Sequence, residues 1–255
     1  MLKDILLNYL KNAELKYSIY IKDLKTGETC LVNHLQIVPS ASIIKLFIMG
    51  ATLEMVKAGK LSLKGRIILT KEEKVSYSIL TLLDDKNSYT IKDLILLMII
   101  QSDNTATNKL ISILGFDCIN KFIKDNNFES TILQRKMMDH KGKENLCNLK
   151  DVTLFLDLIY NRKLIDEKYS KLMVSILTEQ LDHSMMRLNL PENTIIANKT
   201  GDLELINHDV GIVFTEKKDY IFAMLTWDTV NDYYAKSIIS CISKITYDYF
   251  MNGGD

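Results

Sequence analysis

The stretch SIIKLFIMGATLEMVKAG, which begins at Ser42, constrains the fold more than any other part of this chain. In a helix it would be apolar on nearly every side, with Ser42, Lys45 and Glu54 as the exceptions, and it ends at Gly59. A helix that is hydrophobic all round is a buried one. The rest of the chain must therefore enclose it, and a serine and a lysine then lie at the start of a buried helix.

The segments on either side of this helix differ in hydrophobic periodicity. Residues 2–13 have the spacing of an amphipathic helix, and residues 17–37 alternate around the turn at 25–28 as a β-hairpin does. From about residue 61 to about residue 190 the pattern is mostly helical, and the chain closes on a long helix. Three further strands are expected just before that last helix, at residues 194–200, 209–215 and 220–227.

Strands at both ends with helices between them predict an α+β fold. We expect an antiparallel β-sheet flanked by the N- and C-terminal helices, with an inserted all-helical lobe. The sheet lobe is assigned to residues 1–60 and 191–255 and the helical lobe to residues 61–190, within one continuous domain. A ligand site is expected in the cleft between the lobes.

Composition narrows the kind of ligand. The 32 basic residues balance 32 acidic ones, which argues against a nucleic-acid-binding surface and favours a small molecule. The four cysteines and four histidines are dispersed without metal-ligand spacing, so neither a metal site nor a cofactor is predicted. The cysteines are Cys30, Cys118, Cys147 and Cys241.

The N-terminal segment does not have the pattern of a signal peptide. Asp4, Asn8 and Lys11 interrupt its apolar residues, and no later stretch is long and apolar enough to span a membrane. The sequence therefore predicts a cytoplasmic protein, or an extracytoplasmic one if a leader has been removed. We expect a monomer.

Ser42 and Lys45 are three residues apart, which places both side chains on one helix face within reach of each other. A serine hydroxyl needs a base to become a nucleophile, and a lysine serves only where burial or positive charge lowers its pKa. The start of a buried helix offers both conditions. The simpler interpretation is a capping serine followed by a surface-reaching lysine, and the motif alone does not exclude it.

Two more polar motifs follow along the chain. Ser102-Asp103-Asn104 separates two apolar helical stretches, and Lys199-Thr200-Gly201 ends a predicted strand. Alone, the first is most simply a helix cap and the second a strand that ends in a glycine turn. A second Lys-Thr-Gly at 25–27 is assigned to the hairpin turn and to no function.

Together and in this order, SxxK, SDN and KTG are the signature of one family. The chain resembles the class A β-lactamases and their penicillin-binding relatives, and the resemblance covers nearly its whole length. It implies a serine hydrolase that forms an acyl-enzyme with β-lactams or related D-alanyl-type acyl substrates, without cofactor or metal.

The resemblance also implies roles for individual residues. Ser42 would be the nucleophile, Lys45 its base, and Ser102 the proton donor to the leaving nitrogen.

Asn104 would bind the side-chain amide of the substrate, and Gly201 would let the substrate lie close to the strand. The substrate carboxylate would bind Lys199 and Thr200, and the oxyanion would bind the backbone N–H groups of Ser42 and Asp202. An aspartate side chain at position 202 is unexpected beside a bound anion.

The sequence departs from the family in the Ω-loop that follows Arg135. Class A enzymes have there the glutamate that activates water to hydrolyse the acyl-enzyme, whereas this chain has Met137. A thioether cannot take up a proton. Asn108, whose counterpart contacts that glutamate, is present, and Asp139, His140 and Glu144 are candidate substitutes.

Acylation is therefore predicted with more support than hydrolysis. The alternatives left open are a penicillin-binding D-alanyl carboxypeptidase or esterase, and a penicillin-binding module that traps an acyl group without turnover.

Overall fold

A computed structural model describes residues 1–84 and 87–253 of the chain. The strands are β1 (Lys16–Asp23), β2 (Thr29–Val32), β3 (Val38–Pro39), β4 (Arg66–Ile68), β5 (Ser88–Thr90), β6 (Leu146–Cys147), β7 (Ile195–Leu203), β8 (Ile206–Phe214) and β9 (Tyr220–Trp227). The helices are α1 (Leu2–Tyr9), α2 (Ile44–Lys57), α3 (Ile91–Ile100), α4 (Asn104–Leu114), α5 (Phe116–Asp125), α6 (Leu149–Tyr160), α7 (Glu167–Leu177) and α8 (Asp232–Met251).

The two ends of the chain form one five-stranded antiparallel sheet, in the order β2-β1-β9-β8-β7. Nearly every residue of β8 and β9 is buried, because helices cover both faces of the sheet. On the outer face, Phe222 and Met224 pack in one core with α1 and α8. On the inner face, Ile221 and Ala223 pack in a second core with the other helices. The predicted α+β fold is confirmed.

Helix α2 lies inside the second core, as its all-round apolar surface predicts. Its residues from Ile44 to Leu53 are buried, and Phe47 contacts the rings of Phe128 and Phe155 edge-on. Gly50 allows α5 to approach closely, because a Cβ at this position would overlap the ring of Phe122. The division into lobes at residues 60 and 190 stays a prediction, since α2 shares this core with the helices that follow it.

The N-terminal hairpin is shorter than expected. Its second strand, β2, ends at Val32, and the chain then turns so that β3 pairs with β6 instead. The Lys-Thr-Gly at 25–27 does form the hairpin turn, with the Asp23 carboxylate accepting hydrogen bonds from the backbone N–H groups of Lys25 and Thr26. Gly27 has φ 79°, which favours glycine. Within the described residues, no helix is both long and apolar enough to cross a membrane.

Candidate active site

A cavity of about 920 Å³ lies where β7, the start of α2, the α3–α4 connection and the loop after Arg135 come together. All three sequence motifs reach it, although they are distant along the chain. Lys45 and Lys199 lie fully buried behind its wall. The cavity-lining residues among the predicted site residues are Ser42, Ser102, Asn104, Thr200, Asp202, Met137, His140 and Glu144.

Ser42 lies in a single 3₁₀ turn, Ala41–Ile43, that leads directly into α2. The preceding residue, Ala41, has φ 45°, a conformation that is costly for a residue with a Cβ and is often found at functional sites. The turn packs on β7 at Gly201, where an added Cβ would lie 3.2 Å from the backbone nitrogen of Ser42. Gly201 thus lets the turn that carries Ser42 pack closely on β7, and its predicted contact with substrate stays a prediction.

The Lys45 ammonium is surrounded by uncharged acceptors. Its Nζ donates hydrogen bonds to the Ser102 carbonyl at 2.6 Å, to Ser102 Oγ at 3.0 Å and to Asn104 Oδ1 at 2.9 Å. Burial, together with the positive charge of Lys199, lowers the pKa of Lys45 well below its ordinary value, and the Asp103 charge opposes this only in part. An amine held in this way loses its proton more readily, which is what a general base requires.

Ser102 connects the two lysines. Its Oγ accepts hydrogen bonds from Lys45 Nζ at 3.0 Å and from Lys199 Nζ at 3.2 Å. The Ser-Asp-Asn motif at 102–104 was also interpreted as a helix cap, and Asp103 has this role. Its carboxylate accepts the backbone N–H of Ala106 at the start of α4. Because Asp103 caps the helix, the Ser102 side chain is left to face the cavity.

Asn104 is held from both sides. Its Oδ1 accepts from Lys45, and its Nδ2 donates to the Ser76 carbonyl at 3.2 Å. A carboxamide has two N–H donors and an oxygen with two lone pairs, so capacity for a substrate amide remains. That substrate contact stays a prediction.

Lys199 donates to the Thr200 carbonyl at 2.8 Å as well as to Ser102. Burial lowers its pKa to about 8, against the opposing charges of Asp182, Asp202 and Asp209. The charge on Lys199 therefore disappears only a little above neutral pH.

This pKa predicts how acylation depends on pH. The second-order rate constant for acylation by a penicillin should fall above about pH 8, because Lys199 then loses the charge that is predicted to bind the substrate carboxylate. Adduct formation measured from pH 6 to pH 10 tests this. In Lys199→Arg the side chain stays charged, so the fall should move to higher pH. A rate that is constant up to pH 9.5 in the unaltered protein would contradict the prediction.

The Asp202 side chain is turned to other partners. Its Oδ1 accepts from Asn207 Nδ2 at 2.8 Å and pairs with Lys236 Nζ at 2.9 Å. The negative charge that looked unfavourable beside a bound anion is thus partly neutralised by Lys236. The backbone N–H of Asp202 remains the proposed oxyanion donor.

The loop that should provide a deacylating base is fixed by Asn108. The Asn108 side chain accepts the backbone N–H of Met137 at 2.7 Å and donates to the Met137 carbonyl at 3.0 Å. Met137 is 7% exposed and contacts both the helical core and the cavity. The position expected for a glutamate therefore reaches the site, but with a side chain that has no proton acceptor.

The structure weakens the substitute bases. Asp139 is not among the described residues that line the cavity, and its Oδ1 accepts the backbone N–H of Lys141, so its role as a base stays a prediction that the geometry does not favour. Glu144 lines the cavity but pairs with Arg135 at 2.8 Å. His140 also lines the cavity, but its side chain is exposed, so water competes for its hydrogen bonds.

Among the cavity residues that were not found from the sequence are an acidic and a basic one. Asp182 lies in the connection between α7 and β7, and Lys236 lies in the first turns of α8. Neither belongs to a motif, and only the folded chain places them beside Thr200 and Asp202. The sequence carries no local signal for either residue.

Known proteins resemble this chain over nearly its whole length. The β-lactamase VEB-1 of Pseudomonas aeruginosa is 26% identical over 265 residues, covering 96% of this chain and 89% of VEB-1. The crystal structure of a β-lactamase from Sphaerobacter thermophilus DSM 20745 superposes with a TM-score of 0.92 at 25% identity, covering 98% of this chain and 97% of that one.

The protein PBP-A has the same fold, with a TM-score of 0.91 at 24% identity over 98% of this chain and 96% of its own. The sequence model of the beta-lactamase enzyme family matches residues 1–250. This match spans the Ser42, Ser102 and Lys199 motifs together with both parts of the sheet. The chain therefore belongs to the beta-lactamase enzyme family.

Proposed function

We propose that this protein is a serine hydrolase that forms an acyl-enzyme with β-lactams and releases the product slowly. The observation that carries the proposal is the Lys45–Ser102–Lys199 network, with Nζ–Oγ distances of 3.0 Å and 3.2 Å, whose Ser102 lines the same cavity as Ser42. It joins a nucleophile, a base with a lowered pKa and a proton relay at one cavity.

In the proposed acylation, Ser42 Oγ attacks the lactam carbonyl while its proton passes to Lys45 Nζ. The new Oγ–C bond forms and the lactam C–N bond breaks. The leaving nitrogen takes the Ser102 proton, which Lys45 replaces through their hydrogen bond. The backbone N–H groups of Ser42 and Asp202 would stabilise the oxyanion, a contact worth about 3–4 kcal/mol where it has been removed in other enzymes.

Deacylation requires a base that activates water, and Met137 provides none. We therefore expect an acyl-enzyme that forms faster than it breaks down. The test is to incubate the protein with a penicillin and a chromogenic cephalosporin, and to follow intact mass and product together. The expected result is one covalent equivalent, an initial burst and slow steady turnover.

The same assay separates the alternatives. With D-alanyl esters and peptides added as substrates, a stable lactam adduct without turnover of any substrate identifies a penicillin-binding module. Turnover of the D-alanyl substrates but not of the lactams identifies a carboxypeptidase or esterase. If neither the lactams nor the esters acylate the protein, the proposed function is wrong.

Met137→Glu should increase the deacylation rate by about 10²-fold or more, because it adds a general base at the cavity wall. The Asn108 bonds to the backbone of residue 137 keep the loop in place. Met137→Gln is the matched control, since it has the same shape but no base. Equal turnover by the two variants would show that position 137 is not where water is activated.

A further inference from the structure

The turn that carries the proposed nucleophile Ser42 has a costly backbone and must be held by its surroundings. Ala41 has φ 45°, and such a conformation persists in a residue with a Cβ only where the surrounding structure fixes it. One fixed point is the backbone N–H of Ser40, which donates to the Asn145 carbonyl at 2.7 Å, just before β6. A second is the carbonyl of the preceding residue, Pro39, at the end of β3.

A buried histidine from the five-stranded sheet holds that carbonyl. His208 lies on β8 directly opposite Gly201 of β7, so its side chain projects from the same face of the sheet that the Ser42 turn covers. His208 Nε2 lies 2.9 Å from the Pro39 oxygen, and the ring is fully buried. The contact therefore ties the segment before Ser42 to β8.

The other ring nitrogen determines where the hydrogen lies. The backbone N–H of Thr226, on β9, donates to His208 Nδ1 at 3.2 Å. A backbone N–H can only donate, so Nδ1 is the acceptor, and in the neutral ring the hydrogen is then on Nε2. Burial lowers the pKa of His208, against the Pro39 hydrogen bond and the Asp202 charge, so the ring is neutral at neutral pH. His208 Nε2 therefore donates to the Pro39 carbonyl.

This hydrogen bond lies close to the reacting group along the chain. Only Ser40 and Ala41 separate Pro39 from Ser42, so a displaced Pro39 carbonyl moves the Ser42 side chain and its backbone N–H together. The side chain is the proposed nucleophile, and the N–H is a proposed oxyanion donor. A misplacement of about 1 Å at a reacting group lowers a rate by about 10²-fold.

We propose that His208 is a positioning residue for acylation, whose Nε2–H holds the Pro39 carbonyl and so aligns Ser42 for attack. The inference rests on the proposed function, in which Ser42 is acylated. His208 is assigned no proton transfer and no contact with substrate. Its effect falls on the chemical step, because the binding contacts predicted for Asn104 and Lys199 come from α4 and β7.

Two substitutions separate the two hydrogen bonds of the ring. In His208→Gln, the amide nitrogen reaches the place of Nε2 and can donate to Pro39. In His208→Asn, the shorter amide places its oxygen near the position of Nδ1, where it accepts only from Thr226. Each variant keeps one of the two bonds, so their thermal transitions should lie close together. Stopped flow with a penicillin gives the acylation rate constant at saturation separately from the dissociation constant of the noncovalent complex.

At saturation, His208→Gln should acylate within about threefold of the unaltered protein, and His208→Asn should be about 10²-fold slower. The dissociation constant should change by less than about threefold in both variants. A role in stability alone would affect the two variants equally. The inference is overturned if His208→Asn is not at least about tenfold slower than His208→Gln at saturation, or if the loss lies in the dissociation constant.

The position of the hydrogen is testable in the unaltered protein, even if a variant does not fold. The imidazole nitrogen-15 signals of His208, assigned by substituting the other three histidines in turn, should show a neutral ring with its hydrogen on Nε2. A hydrogen on Nδ1, or a charged ring at neutral pH, overturns the inference.

The outcomes distinguish this inference from the proposed function. If penicillin acylates the unaltered protein and both variants at equal rates, the inference is wrong and the function stands. If the unaltered protein forms no adduct with penicillin, the proposed function itself fails.

Discussion

Ser42→Ala is expected to abolish the covalent adduct with every β-lactam tested. The Ser42 hydroxyl is the one we propose to attack the lactam, and alanine leaves the turn on β7 without a nucleophile. Intact mass after prolonged incubation, followed by peptide mapping of the unaltered protein, measures the result. The expected outcome is complete loss of the mass increase, with the adduct of the unaltered protein mapped to residue 42.

Ser40→Ala is the matched control, because Ser40 is a buried serine two residues earlier whose Oγ donates to the neighbouring Ala41 carbonyl. It should retain the adduct. If Ser42→Ala still forms a stoichiometric adduct at the same rate, the nucleophile and the mechanism are both wrong.

Lys45→Met should lower the acylation rate constant by about 10³-fold, within the range that general bases contribute. Methionine fills similar space without the amine, so the Ser42 proton has no acceptor. The Lys45 hydrogen bonds to Ser102 and Asn104 are lost as well. The acylation rate constant is measured by stopped flow as a function of pH. In the unaltered protein this rate constant should rise as Lys45 deprotonates.

The structural effect of this substitution has to be separated from the chemical one. Lys45 is fully buried, no carboxylate pairs with it among the residues that the structure describes, and a buried charge of this kind costs stability. We therefore expect Lys45→Met to fold, with a cooperative thermal transition by circular dichroism. Lys60→Met, at the exposed end of the same segment, is the control for loss of a lysine. Acylation within threefold of normal in a folded Lys45→Met would remove Lys45 from the role of base.

Much of the fold was predictable because its main elements have strong periodic patterns. The all-round apolar surface of α2 required a large core, and β9 has the bounds of the strand predicted at residues 220–227. The return strand of the hairpin was overestimated, because the residues after Val32 look extended in sequence but form a turn, in which the backbone N–H of Gln36 donates to the Asn33 carbonyl. The chain pairs again only as β3, and its partner is β6 and not β1. Pairing partners depend on the tertiary fold, which a local pattern does not contain.

The site was predictable where its residues belong to motifs and unpredictable where they do not. Ser42, Ser102 and Thr200 line one cavity, as expected from the order of their motifs. The partner of Asp202 comes from α8, and Asp182 comes from a loop, so no spacing rule joins either to the Lys-Thr-Gly motif. Gly201 was recognised, but its contact with the Ser42 turn was not, because that contact exists only in the folded chain.

The hydrogen bonds between Asn108 and Met137 have a consequence for how such proteins diverge. Both bonds are made to the backbone of residue 137, so they do not depend on its side chain. If position 137 is where water is activated, as we propose, mutation at this codon adds or removes the ability to release product while the loop keeps its path. Trapping an acyl group and destroying an antibiotic are then neighbouring states in evolution, separated by one position, and selection can move a lineage between them without rebuilding the protein.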